Sequence, residues 1–136
     1  MSTGPTGTGA AVAVDDPASF IHDRGGLHDV TVLTVAYHLE EHRIEIEVED
    51  LNWGVESDKG HKPRPCTLVF AGVSAVSIAA GQDKFHTSVA VSELAWLSHA
   101  AAITKGDVTR VDMIFKTSEH WFIECQSLAI LDRPTP

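Results

Sequence analysis

Between Arg43 and Glu49 the chain alternates apolar and acidic residues without a break: Ile44, Ile46 and Val48 interleave with Glu45, Glu47 and Glu49. Side chains along a strand point to opposite faces with period two. The three aliphatic residues therefore share one face and the three glutamates the other. The stretch before it carries Thr31, Leu33, Val35, Tyr37 and Leu39 on its more apolar face, with His28, Val30, Val32, Thr34, Ala36 and His38 opposite. Together they predict a long antiparallel hairpin over Leu27 to Leu51. Both apolar faces must lie on one side, and Leu39 opposite Ile44, Tyr37 opposite Ile46 and Val35 opposite Val48 satisfies that parity. Glu40 to Arg43 then form the loop, and His38 faces Glu45 on the wet side.

The same reasoning carries through the rest of the chain. Residues 1 to about 15 are rich in Gly, Thr, Ala and Pro and bury too little to offset their ordering entropy, so they read as a tail, with one β-rich domain over 16–136. Asp16 and Pro17 have the chemistry of a helix cap and first helical position, which predicts a single helical turn ending near Ile21. Phe20 and Ile21 can plug one end of a core. Asp50 to Pro65 is a long polar connection. Thr67 to Ala71 and Val73 to Ala79 read as strands that are apolar on both faces, hence central, with Gly72 at a bulge or tight bend between them. Residues 85–91 alternate weakly and predict a strand, whereas Ala90, Leu94, Leu97 and Ala101 have helical spacing and predict a helix near 92–103. At the end of the chain Val111, Met113 and Phe115 share a face with Trp121, Ile123 and Cys125. The predicted register sets Phe115 against Trp121 and Met113 against Ile123, with a turn at Thr117 to Glu119 and Leu128 to Leu131 extending the last strand. The expected fold is a mainly β antiparallel sandwich or partly open barrel of about seven strands.

Composition narrows the class of function. Among 136 residues, nineteen acids against ten bases leave a net charge of −9, which argues against nucleic acid or an anionic membrane as partner and favours a basic one. No run approaches the ~18 apolar residues of a membrane span, and the first residues lack the basic start of a signal peptide. Cys66 and Cys125 show no CxxC spacing and suit small buried hydrophobes in a reducing compartment. A cytoplasmic, soluble protein is expected.

Candidate chemistry is sparse. Eight histidines raise the possibility of a metal, and His22-Asp23 and His28-Asp29, two His-Asp pairs flanking Gly25-Gly26, are the candidate ligands of a metal-dependent enzyme or metal-binding protein. The run Asp50 to Asp58 has oxygen ligands at alternate positions but places Val55 where a calcium loop needs Gly, and His61 where it needs a bidentate Glu. His120 with Cys125 or Cys66 would make a thiol–base pair, although inward-facing strand cysteines are inert as a rule. There is no nucleophile elbow and no phosphate-binding loop, and no cofactor is implied. On the outer face of the last hairpin the predicted register opposes Asp112 to Glu124 and Ile114 to Phe122. Like charges there call for a neutralising partner, and an apolar pair on a wet face suits the centre of an interface.

Leu27-His28-Asp29, Glu49-Asp50-Leu51-Asn52 and Thr67-Leu68-Val69-Phe70-Ala71-Gly72-Val73 together resemble a group of small uncharacterised bacterial all-β proteins. The resemblance spans residues 27–80 and extends faintly to Cys125–Leu131. It implies a sandwich-like domain, and some similar proteins are grouped with immunity partners of bacterial toxins. The resulting expectation is a non-catalytic interaction module, acidic and immunity-like, that binds a protein partner or forms a homodimer.

Overall fold

A computed structural model describes residues 11–52, 62–79, 97–115 and 120–133. In chain order the elements are β1 (Val12–Ala13), α1 (Pro17–His22), β2 (Val32–His38), β3 (Arg43–Val48), β4 (Cys66–Ala71), β5 (Ala75–Ala79), β6 (Leu97–Lys105), β7 (Val108–Phe115), β8 (His120–Cys125) and β9 (Ser127–Asp132). All strand pairs are antiparallel. They form a five-stranded sheet, order β1-β9-β4-β3-β2, and a four-stranded sheet, order β5-β8-β7-β6. The predicted mainly β, two-layer architecture is present, with nine strands among the described residues instead of seven.

Period two decides what each sheet buries. Ile44, Ile46 and Val48 of β3, with Cys66, Leu68 and Phe70 of β4, meet Val111, Met113 and Phe115 of β7 and Ile123 and Cys125 of β8 in one continuous core. The helical turn forms as its cap chemistry predicts. The Asp16 carboxylate accepts from the Ser19 amide and hydroxyl, at 3.2 and 2.9 Å, and Pro17 takes the first helical position. Those hydrogen bonds hold the Asp16 carboxyl below its usual range. Ile21 is buried in the core.

Two corners tie the sheets together. The chain passes from β4 to β5 at Gly72 and from β8 to β9 at Gln126, and the Gln126 amide donates to the Ala71 carbonyl at 3.0 Å. Gly72 has φ +64, and a Cβ there would lie 2.6 to 2.8 Å from the Gln126 side chain, so both conformation and space demand glycine. At the opposite edge the Asp29 amide donates to the Leu97 carbonyl and the Leu97 amide to the Val30 carbonyl, at 2.8 and 3.0 Å. These bonds stitch the approach to β2 onto the start of β6, short of closing a barrel.

Several expectations need correction. Residues 97–103 are strand, not helix: Ala100 and Ala102 face the core and pair with Met113 and Val111. Helical spacing of small residues is a weak prior, and the open edge of β7 supplies a ladder that overrides it. Residues 92–96, the strand expected at 85–91 and the turn at Thr117 to Glu119 lie outside the described residues. Val12 and Ala13, expected within the tail, instead pair with Ile130 and Ala129. Strand β5 lies at a sheet edge, not centrally. Leu128 to Leu131 belong to β9, in the other sheet from β8.

Both hairpin registers are displaced by the same step. Tyr37 pairs with Ile44 and Val35 with Ile46, so the loop is Leu39 to His42. His42 takes φ 51, and its carbonyl accepts from the Val73 amide at the Gly72 corner. An irregularity between Val32 and Thr34 inserts Leu33 as an extra residue, which turns Val30 and Val32 inward where alternation alone had assigned them outward. On the last hairpin Met113 pairs with Trp121 and Val111 with Ile123. Phe115 still meets Trp121 on the diagonal, edge-on, with centroids 5.8 Å apart.

Candidate interaction surface

The four candidate metal ligands do not converge. His22 ends α1 and lines a hollow of about 560 Å³ with Ser19, Gly25, Gly26 and Ala100 to Ala102. Asp23 caps the same helix but lines a separate cleft of about 330 Å³, with Arg24 and Arg64. His28 and Asp29 stand together, Nε2 to Oδ2 at 3.3 Å, while the Asp29 backbone, at φ 64, is committed to β6. Among the described residues no three His, Cys, Asp or Glu side chains are placed to hold a metal ion.

The other candidates resolve into structural roles. Asp50 is buried, and its Oδ1 accepts from the Asn52 and Arg64 amides at 2.9 Å each, tying the two ends of the long connection. Residues 53–58 of the calcium-like run lie outside the described residues. Burial pushes the thiols up, Cys66 to about 12 and Cys125 to about 11, so neither supplies a thiolate near neutral pH. His120 and Cys125 also point to opposite faces of β8, and that ends the pairing between them. In the Asp23 cleft, Arg24 lies over the Phe20 ring at 3.8 Å and donates to the Phe20 carbonyl. Arg64 holds Asp132 through both Nε and Nη2. The first contact closes the end of α1 on itself, and the second ties the segment before β4 to the end of β9.

What remains is the outer face of the four-stranded sheet. Its pairings set side chains in cross-sheet rows: Ala75, Glu124, Arg110 and Ile103 in one, Ser77, Phe122, Asp112 and Ala101 in the next, with His120 beside Ile114 beyond. The predicted opposition of Asp112 to Glu124 and of Ile114 to Phe122 is therefore replaced. Glu124 faces Arg110, and Asp112, opposite Phe122, accepts from Arg110 Nε at 3.0 Å. The like-charge clash is gone because the displaced register brings a base between the two acids.

Aromatic and cationic groups stack along this face. The Arg110 guanidinium sits 4.3 Å from the centroid of the Phe122 ring, whose other neighbour is the His120 ring at 4.1 Å. His120 Nε2 is buried and has no hydrogen-bond partner among the described residues. Around the stack Ile103 is 66% exposed, Val108 38% and Ile114 37%. Six large hydrophobic residues are exposed among those described, and three of them lie here. Phe122, Ile114, Asp112 and Glu124 were legible from alternation. Arg110 and His120 as stacking partners were not, because their adjacency depends on the register. Ile103 was hidden by the helical reading of 92–103.

No family model matches the chain, and no curated protein matches it in sequence. Among solved structures, an uncharacterized protein from Neisseria gonorrhoeae is similar at 5% identity over 76% of this chain and 90% of that one, with a TM-score of 0.49. Among the described residues no helix is long and apolar enough to cross a membrane.

Proposed function

We propose that this chain is a non-catalytic protein-interaction module whose docking surface is the outer face of the four-stranded sheet. The observation that carries the reading is the gathering of Ile103, Val108 and Ile114 around the Arg110–Phe122–His120 stack. Exposed aliphatic area around an aromatic and an arginine has the composition of an interface centre. A protein partner or a second copy would cover it. Two free buried cysteines fit a reducing compartment such as the cytoplasm.

A basic protein, as an immunity-type role would require, is the alternative occupant, supported by the net charge of −9 and by the resemblance of residues 27–80. Its natural landing site, the glutamate row of β3, is already partly paired from within. Arg43 bridges Glu41 and Glu45, and His38 lies 3.5 Å from Glu45. Arg133 reaches Glu47 at 3.6 Å.

Phe122→Asp tests the proposal. It places a charge in the middle of the surface without touching the core. Light-scattering mass and the proteins that co-purify from the native host would be compared with wild type. Loss of a stoichiometric association with the circular-dichroism melt intact supports the reading, and unchanged association of every kind removes it.

A further inference from the structure

We infer that the occupant of this surface is a second copy of the chain, stacked face to face about a two-fold axis that runs along the strands. The inference rests on the proposed docking surface and names what fills it.

Charge is the first argument. On this face Arg110 and Lys105 balance Asp112 and Glu124, so the surface is neutral within a chain whose net charge is −9. A strongly basic partner would find no acid excess here. Two copies can meet here without repulsion at the contact itself.

The order of the strands supplies the second. A two-fold axis parallel to the strands, lying between two stacked faces, sets β5 of one copy over β6 of the other and β8 over β7, and keeps each cross-sheet row opposite itself. Glu124 then faces Arg110 of the second copy, and the symmetry makes that contact twice. The small residues Ala75 and Ser77 of β5 face Ile103 and Ala101, leaving room for the most exposed aliphatic side chain of the face. His120 faces Ile114. Packed sheets lie about 10 Å apart with their strands within about 30° of parallel, which preserves these juxtapositions near the axis.

The area is sufficient. Four strands about 4.8 Å apart, of five, six, eight and nine residues at about 3.4 Å each, offer a face of roughly 19 by 24 Å on average. With side-chain relief this approaches the small end of the size range of specific interfaces, roughly 600 Å² per partner.

Sedimentation equilibrium over about 1 to 500 μM tests this directly. Wild type is expected to sediment at twice the chain mass at the upper end. Added salt should change the dimer little, because it screens both the repulsion between two net-negative copies and the Glu124–Arg110 pairs, whereas a complex with a basic protein would weaken steeply. Arg110→Glu and Glu124→Arg should each weaken self-association by about 10-fold or more. Mixed in equal amounts they should associate again, because each supplies the charge the other lacks. Ser77→Arg, at an exposed small residue that the fold does not need, should block close approach and guards against a variant that fails to fold. A wild type that stays monomeric, or a charge-swapped mixture that stays monomeric while wild type dimerises, overturns the second copy. Wild type that is monomeric yet loses a different protein partner on Phe122→Asp overturns the second copy alone and leaves the docking surface standing. Loss of neither overturns both.

Discussion

The outer faces of the two sheets carry charge in opposite ways. On the five-stranded sheet the sequence pattern is strongly acidic, yet Glu45 and Glu47 are met by Arg43, His38 and Arg133. Arg133 also donates through Nη2 to the Val48 carbonyl, far away in sequence. On the four-stranded sheet the charges are few and balanced, but three aliphatic side chains remain exposed around a half-buried aromatic stack. A conspicuous charge row is thus the quieter surface. The face that alternates less conspicuously in sequence is the one with free energy left to gain from a partner, because uncovered apolar area is not compensated by neighbours as a carboxylate is.

That contrast can be broken or sharpened by substitution. The largest effect belongs to neither outer face. Ile46→Ala, on the inner side of the glutamate row, should cost about 2–5 kcal/mol in urea unfolding, since it empties a fully buried site. Gly72→Ala strikes the corner that holds both faces in place. It should cost about 2 kcal/mol, from the left-handed backbone and the contact with Gln126, and is read by the same assay.

Raising the pH probes the core between the faces. An unfolded thiol ionises near 9, whereas Cys66 and Cys125 keep their protons to about 12 and about 11. Above pH ~9 the unfolded state therefore binds fewer protons than the folded one. Stability should be unaffected by these groups below that point and fall as pH rises towards 11–12. Thermal melts of Cys66→Val should show a shallower alkaline decline than wild type. The smallest effect sharpens the comparison most. Arg43→Ala, which frees the glutamate row, should cost no more than about 1 kcal/mol because its ion pairs are partly exposed. It should also raise affinity for a basic probe peptide in a titration, while Arg110→Ala leaves that affinity unchanged.

Much of the fold was legible because period two is a local property. Asp16 and Pro17 started the helical turn, the Ile44–Val48 alternation set the buried face of β3, and Val111, Met113 and Phe115 did the same for β7. Register was not legible, and both hairpins were displaced alike. A slip that keeps parity leaves every residue on its predicted face, so burial alone cannot choose between the alternatives. The surface suffered most from this. Moving the last hairpin by that step turned an apparent Asp112–Glu124 clash into an arginine-bridged stack.

By itself, then, the amino-acid sequence determined which residues of β3, β7 and β8 face inward and where α1 begins, since these follow from side-chain alternation and capping within a few residues. Only the tertiary structure decided the register, the strand state of residues 97–105 and the pairing of the glutamate row with Arg133. Each of these depends on a ladder partner or counter-charge supplied from elsewhere in the chain. The Leu33 bulge and the Gly72–Gln126 corner then hold the one arrangement that satisfies them together.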